Sequence, residues 1–398
     1  MRSKEAKNTS IEYTLIVIGG FLAFFFLNVL NSSYSTVLEM IKSELALTYT
    51  MSGALMSSYF VGYLIGQIPW GIAADRFGSR RIIAASIGGA AASTIVFSVA
   101  DGFWQATIAR CFTGLLGAGV FVPSVKLVAE WFATEKRGTA LGILSIGGSV
   151  GLIGSSWIVP SVATQLGWRS TMSIAGGLGL VAAIVIMLAL KDKNSITVER
   201  MSRGELANVF RTKGFWTMAW TQFVRLGANY TFIAWLPLLL QEEYHLTLVV
   251  AGGVFSLFNL AGMVANPLGG ILSDQFGERV VLLTTFISLS FVTILFIMGE
   301  TPFFMYVSII GIGWGINFIR SPHFAILPKL YGVHVAGQIS GILNTFASSG
   351  ALLLPLLLGA VRDITASYFV GWILLALIML VAGISLITLK VPNSDVSH

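Results

Sequence analysis

The sequence predicts an all-α membrane protein of twelve transmembrane helices, arranged as two six-helix bundles related by pseudo-two-fold symmetry. Three observations lead there. Composition is the first: 55% of the 398 residues are hydrophobic and 11% are charged, against roughly 25% charged in an ordinary soluble domain. A soluble chain of this size could not bury that much apolar surface. Run length is the second. Uncharged stretches such as 13–38, 45–74, 138–168 and 170–190 each supply the ~20 residues that cross a hydrocarbon core as a helix. In lipid the backbone must satisfy itself, so helices are the default, and the alternating pattern of a membrane β-barrel is absent. Repetition is the third. Residues 70–81 read WGIAADRFGSRR and residues 269–280 read GGILSDQFGERV, so Gly71, Asp75 and Gly78 recur as Gly270, Asp274 and Gly277, 199 positions later. Pro123 recurs as Pro322 and Gly138/Gly142 as Gly337/Gly341 at the same offset, the mark of a duplicated half.

The first six spans are read at 13–38, 50–74, 82–100, 104–130, 138–161 and 170–190. Glu39 and Lys42 end the first, Asp75 to Arg81 separate the second from the third, and Asp101 precedes the fourth. Lys136–Arg137 and Arg169 bracket the fifth, and Lys191 ends the sixth. The polar stretch 191–213 then divides the chain and reads as a cytoplasmic linker carrying a short surface helix at Arg203–Arg211. The remaining spans are 214–241, 247–272, 280–299, 303–327, 337–361 and 367–389. The expected domains are therefore 1–190, the linker 191–213, and 214–398. With both termini in the cytoplasm, 17 of the 24 Lys and Arg lie on that side and only Lys42, Arg169 and Arg362 lie outside, as the positive-inside rule requires. The net charge of +6 is dispersed over membrane-end loops and suggests no nucleic-acid partner.

The N-terminal apolar run is too long for a secretory signal and lacks a clear cleavage site. Cys111 is the single cysteine, so no intramolecular disulfide and no cysteine metal cluster is expected. No GxxxxGK[ST] phosphate loop occurs, so the chain does not hydrolyse ATP by itself. No cofactor and no enzyme activity is expected.

Twelve spans split six and six by a basic loop, GIAADRFGSRR after the second span, its weaker copy after the eighth, and RCFTGLLGAG at 110–119 in the fourth together resemble the major facilitator superfamily over essentially the whole chain. The resemblance implies a secondary transporter working by alternating access around a central cavity lined by spans 1, 4, 7 and 10. It also implies a gating role for the repeated loop: Asp75, Arg76 and Arg80 in the first copy, Asp274 and Arg279 in the second. The charges allow this independently, since an aspartate at a helix end can pair with basic groups or a helix N-terminus. They equally fit arginines that only obey the topology rule. Gln275 and Glu278 depart from Arg76 and Ser79 and leave the second latch weaker. The glycines of the fourth and fifth spans permit close helix packing or motion. The fifth span lacks the glycine–proline motif of the family's drug antiporters.

The substrate clue is charge inside the membrane. Arg110, Lys126, Arg225 and Arg320 fall within spans, and no Asp or Glu lies near the middle of one, although a buried charge costs about 2.5–3.5 kcal/mol on insertion scales. Lys126 and Glu130 are spaced i, i+4 and can neutralise each other. Arg225 lies about 16 Å into the seventh span with no charged neighbour in sequence and with Asn229 and Phe232 on its face. Asn28, Asn31, Ser32 and Ser35 share a face of the first span, and Tyr59, Tyr63 and Gln67 one of the second. An unpaired arginine among amides and phenols suits a carboxylate or phosphate, which guanidinium grips by two parallel bonds. The alternative is an arginine bound to backbone carbonyls.

In the tenth span Asn317, Arg320 and Phe324 share a face, and His323 lies one turn from Arg320. His323 and Arg110 are the proton-coupling candidates. A histidine near the cytoplasmic surface beside the break at Pro322 is the plainer reading of His323. His245 and His334 read as loop residues.

YTFIAWLPLLL, WFATEKRGTALGI and GQISGILNTFASSGALLLP are similar to organic-anion and organophosphate transporters of the superfamily, among them anion:cation symporters. Those families carry an arginine in the first span where this chain has Asn28 and Asn31, and the phosphate antiporters place their seventh-span arginine a turn nearer Trp235–Pro237. The membrane carboxylate of sugar:proton symporters and drug antiporters is absent from the first span. The expectation is a monomeric inner- or plasma-membrane transporter of a small organic anion, of carboxylate type, by proton symport or exchange. Its substrate-binding residues would be Arg225, Asn28, Asn31, Tyr59, Tyr63, Asn229, Arg320 and Asn317. The alternatives are an exporter of amphipathic compounds, with 10 Trp and 27 Phe to line a greasy cavity, and a non-transporting membrane sensor.

Overall fold

The structure is a computed structural model that describes residues 2–132, 134–193, 203–299 and 301–390. Within these residues the chain is helical throughout, with no strand: α1 (Arg2–Thr36), α2 (Leu38–Glu44), α3 (Tyr49–Phe77), α4 (Ser79–Ser98), α5 (Phe103–Gly117), α6 (Phe121–Trp131), α7 (Thr134–Ala189), α8 (Arg203–Arg211), α9 (Lys213–Glu242), α10 (Leu248–Phe276), α11 (Glu278–Met298), α12 (Pro302–Phe318), α13 (Arg320–Ala325), α14 (Leu327–Tyr331), α15 (Val333–Thr365) and α16 (Tyr368–Ser385). The surface helix expected in the linker is α8, while 194–202 lie outside the described residues.

Ten helices among these residues are long and apolar enough to cross a membrane. One of them, Thr139–Ala189, runs 51 residues, far more than a single crossing needs. It is broken at Gly167, whose φ of 76° lies in the left-handed region that glycine enters freely. The 29-residue α3 is long enough but carries Tyr, Ser and Gln that lower its hydropathy, and it is not among the ten.

Proline decides where the helices of the fourth and tenth spans break. It donates no hydrogen bond and its ring crowds the carbonyl four residues back. Accordingly α5 stops at Gly117, six residues before Pro123 in α6, and α12 stops at Phe318, four residues before Pro322 in α13. The indole of Trp70 donates to the Leu115 carbonyl at 2.7 Å just before the first break. His334, expected in a loop, instead falls in the first turn of α15, whereas His245 does lie in the α9–α10 connection with φ 53°.

The chain folds as two compact units: Met1–Thr197 with Pro237–Ser256, and Val198–Leu236 with Leu257–His398. In the first, α1 and α4 pack on α7 and α3 packs on α5. In the second, α11 packs on α16 and α12. The C-terminal end of α9 belongs to the first unit, where Glu242 accepts from Lys42 Nζ at 2.8 Å and from the Tyr49 hydroxyl at 2.8 Å, tying that end to the α2–α3 corner. Burial pulls the Lys42 pKa down, but Glu242 and Tyr49 outweigh it and hold the amine above its ordinary value.

The same corner holds Glu44, whose carboxylate accepts from Arg169 Nε at 2.7 Å and from the Trp168 indole. The Arg169 hydrogen bond keeps Glu44 below the usual carboxylate range, overriding partial desolvation. A depressed folded pKa gives stability that is full above the unfolded value, about 4.3, and lost as pH falls through the folded one. Glu44→Gln is therefore expected to flatten the acid limb of the thermal-stability profile below about pH 4.5. An acid limb unchanged by the substitution would contradict this role.

Candidate functional site

In the second unit Arg225 is 6% exposed on α9. Its Nε donates to Gln222 Oε1 at 2.8 Å, three residues earlier on the same helix. Gln222, itself 1% exposed, is the partner that sequence reading missed, because an amide gives no charge signal. Among the described residues neither Arg225 nor Arg320 makes an ion pair, and the two terminal nitrogens of Arg225 make no hydrogen bond. The charge of Arg320 acts on Arg225, Tyr230 acts on both, and Arg225 acts on His323. Among the described residues this positive cluster holds no carboxylate.

His323 is fully buried in the second unit. Its Nδ1 bonds the Ile319 carbonyl at 2.8 Å and its ring meets Phe286 edge-on at 6.0 Å, while Nε2 is buried without a hydrogen-bond partner among the described residues. Two other expected neighbours turn elsewhere. Phe232 stacks on Trp372 at 4.5 Å, so it packs the bundle. Asn317 donates to Gly313 O at 3.0 Å and lies against Gly262. Asn229 is half-buried on α9.

In the first unit the polar residues surround Arg110, which is 2% exposed. Its guanidinium reaches Asn31 Oδ1 at 3.2 Å and the Leu30 carbonyl at 3.5 Å, and lies over the rings of Tyr34 at 4.9 Å and Tyr59 at 5.2 Å. Tyr63 stacks on Tyr59 at 6.0 Å. An arginine enclosed by a carbonyl, an amide and two aromatic faces is held by dipoles and cation–π attraction. The polar face of α1 divides: Asn31 serves Arg110, Ser32 bonds Ser155 at 2.6 Å, and Asn28 donates to Phe24 O at 2.9 Å beside Gly148.

The repeated loop gives Asp75 a partner other than the neighbouring arginines. Asp75 Oδ1 accepts from Lys126 Nζ of α6 at 2.8 Å, and Lys126 also donates to Ala74 O. Glu130, the expected partner, feels Lys126 through space and takes a hydrogen bond from the Lys193 backbone. Arg80 Nε instead donates to Met187 O at 2.7 Å, and Arg279 Nε to Leu386 O at 2.9 Å. Both donate to carbonyls at the end of a helical segment, where a cation is also favoured, although Leu386 O also accepts from Leu389 N. Donors and acceptors are each 199 positions apart, and Gly78 and Gly277 share φ of 86° and 85°. A further pair keeps the offset: a Cβ on Gly114 would strike the Tyr59 carbonyl, and one on Gly313 the Phe258 carbonyl.

The copies differ elsewhere. Asp192 caps α4 through the Arg80 amide at 2.8 Å. In the second copy Glu278, 3% exposed, pairs with Lys329 at 2.6 Å, so the departure from Ser79 supplies an ion pair, while Asp274 is exposed. Arg76 is exposed and lies 5.3 Å from the Phe77 ring.

The Asp75 side chain is 59% exposed, and such pairs contribute about 0–1 kcal/mol. Asp75→Asn is therefore expected to leave folding almost unchanged and to slow transport severalfold, through a shift between conformers. Initial uptake rates at matched reconstitution would check this; a normal rate would leave the loop charges to topology alone.

Comparison with known proteins agrees with this architecture. The chain is 25% identical over 376 residues to the "Nitrite extrusion protein" of Bacillus subtilis (strain 168), covering 94% of this chain and 92% of that protein. It is 23% identical over 435 residues to the "Probable galactarate/D-glucarate transporter GudP" of Escherichia coli (strain K12), covering 97% and 95%. The crystal structure of the nucleoside transporter NupG shares the fold with a TM-score of 0.81 at 14% identity, over 94% of this chain and 99% of that one. The sequence model of the Major Facilitator Superfamily matches residues 16–355 and 218–397; the chain is a multi-pass membrane protein of that superfamily.

Proposed function

We propose that the chain is a secondary transporter that moves a small organic anion, of carboxylate type, by alternating access. Twelve crossings form two six-helix bundles, 1–190 and 214–398, joined by the linker 191–213, with both termini cytoplasmic. The count follows if the 51-residue segment crosses twice and α3 crosses despite its polarity. The recurrence of the Arg80 and Arg279 carbonyl bonds, of the Gly78 and Gly277 geometry, and of the Gly114 and Gly313 contacts supports the duplicated plan.

One observation carries the substrate reading. Arg225 is buried, its Nε is fixed by Gln222, and its two terminal nitrogens face no acceptor among the described residues. A guanidinium fork held at one nitrogen and open at two is a carboxylate receptor. Arg320 adds a second uncompensated charge. Named relatives carry anions of two kinds, nitrite and sugar diacids, and a cationic cluster without a carboxylate suits either. The first-unit residues Asn31 and Tyr59 act through Arg110, which they hold; Asn28, Tyr63, Asn229 and Asn317 are supporting polar groups.

Coupling is by proton symport or by exchange. Proteoliposomes loaded at pH 7.5 and diluted to pH 6 are the test of the first: accumulation of labelled carboxylate that vanishes with a protonophore supports symport. Accumulation that depends only on anion loaded inside supports exchange. Uptake of neither kind removes the transport reading.

A further inference from the structure

His323 is a buried polar group that nothing in the anion reading uses. Its Nδ1 faces the Ile319 carbonyl, and a carbonyl can only accept, so that nitrogen carries the hydrogen. The neutral ring then presents Nε2 as a bare acceptor. Nε2 is buried and has no partner among the described residues. Leaving a buried acceptor unpaired forfeits its hydration with nothing in return, and native structures keep few such groups without a reason. The place is specific. His323 sits one turn from Arg320 on α13, the charge of Arg225 reaches it, and Phe286 walls the ring. Arginine offers only donors, so the two guanidinium groups bind acceptor atoms while Nε2 takes a donor.

We propose that His323 Nε2 is a specificity-determining acceptor in the anion site, taking a hydrogen bond from a hydroxyl of the bound carboxylate, so that the site selects hydroxylated carboxylates over anions that carry no donor. The inference rests on the reading of Arg225 as the carboxylate ligand. Nitrate and unsubstituted carboxylates have acceptors only and leave Nε2 unpaired; a hydroxy acid pairs both ends of the site. Sites that hydrogen-bond a substrate hydroxyl discriminate strongly against analogues that lack it, because their own polar group is then stranded.

Binding of glucarate, adipate (the same carbon skeleton without hydroxyls) and nitrate to the purified full-length protein is the test. Wild type is expected to bind glucarate about tenfold or more tighter than adipate. His323→Phe should bring glucarate down to the adipate level while adipate and nitrate change less than about twofold. His323→Gln, which keeps an acceptor, should retain much of the preference. A thermal melt confirms that each variant is folded. Absence of saturable glucarate binding, equal wild-type affinity for glucarate and adipate, or a His323→Phe loss shared equally by both would overturn the assignment; should that variant not fold, the Gln variant and the wild-type ratio decide. Arg225→Ala separates the two readings. If it leaves adipate binding intact, the anion reading itself fails; if it removes adipate binding while wild type ignores the hydroxyls, only the role of His323 falls.

Discussion

Arg225→Ala is expected to weaken binding of the transported anion about thirtyfold or more, without lowering the stability of the folded protein. Arg225 is 6% exposed and has no carboxylate partner among the described residues, so the bound substrate is what offsets its charge. Removing one side of a buried charge pair costs roughly 2–5 kcal/mol, and each 1.4 kcal/mol is about tenfold. The same truncation relieves the insertion cost of an intramembrane arginine, about 2.5–3.5 kcal/mol, which is why the melting temperature should hold or rise. Arg225→Lys keeps the charge but cannot hold Gln222 and offer two parallel donors at once, so its affinity should fall well below that of wild type. A neutral amide analogue of the substrate should lose little in either variant. Calorimetry on folded protein checks all three; equal affinity of wild type and Arg225→Ala would move the substrate class to neutral or cationic compounds.

Gly114→Val is expected to destabilise the protein by about 3 kcal/mol or to prevent its accumulation. A Cβ at Gly114 would collide with the Tyr59 carbonyl, and one at Gly62 with the Cys111 carbonyl, so α3 and α5 meet backbone to backbone. Overpacking a close contact costs about 1–3 kcal/mol, and here the obstacle is main chain that cannot rotate aside. Parting these helices would also lift Tyr59 from Arg110. Gly142→Ala and Gly154→Ala are the controls, since nothing lies within 4 Å of a Cβ at either position; both should be neutral or slightly stabilising in a helix. Thermal unfolding in detergent that ranked Gly114→Val with these controls would contradict the packing role.

Much of the fold was legible because apolar run length and proline leave local marks. The spans read from sequence fall within a few residues of α3, α4, α9, α10, α11 and α15, and the breaks near Pro123 and Pro322 follow from missing amide donors. The offset of 199 residues also announced contacts that sequence alone could not draw, such as Arg80 to Met187 and Arg279 to Leu386. Partner choice was not legible. Asp75 pairs across 51 residues with Lys126 rather than with the arginines beside it, because tertiary geometry and not sequence distance sets which ammonium reaches a carboxylate. Gln222 escaped notice for want of charge, and Asp192 because a cap supplied from a linker carries no local pattern. The burial of His323 was hidden as well: its depth depends on how α13 restarts after the break, which spacing cannot tell.

Counterflow in proteoliposomes tests the central claim most directly. Vesicles loaded with unlabelled glucarate and diluted into labelled glucarate should concentrate the label transiently in the wild-type protein, and Arg225→Ala should abolish the overshoot while remaining folded and inserted. An overshoot of the same size in Arg225→Ala, or saturable binding by wild type with no counterflow at all, would contradict an anion transporter built around this arginine.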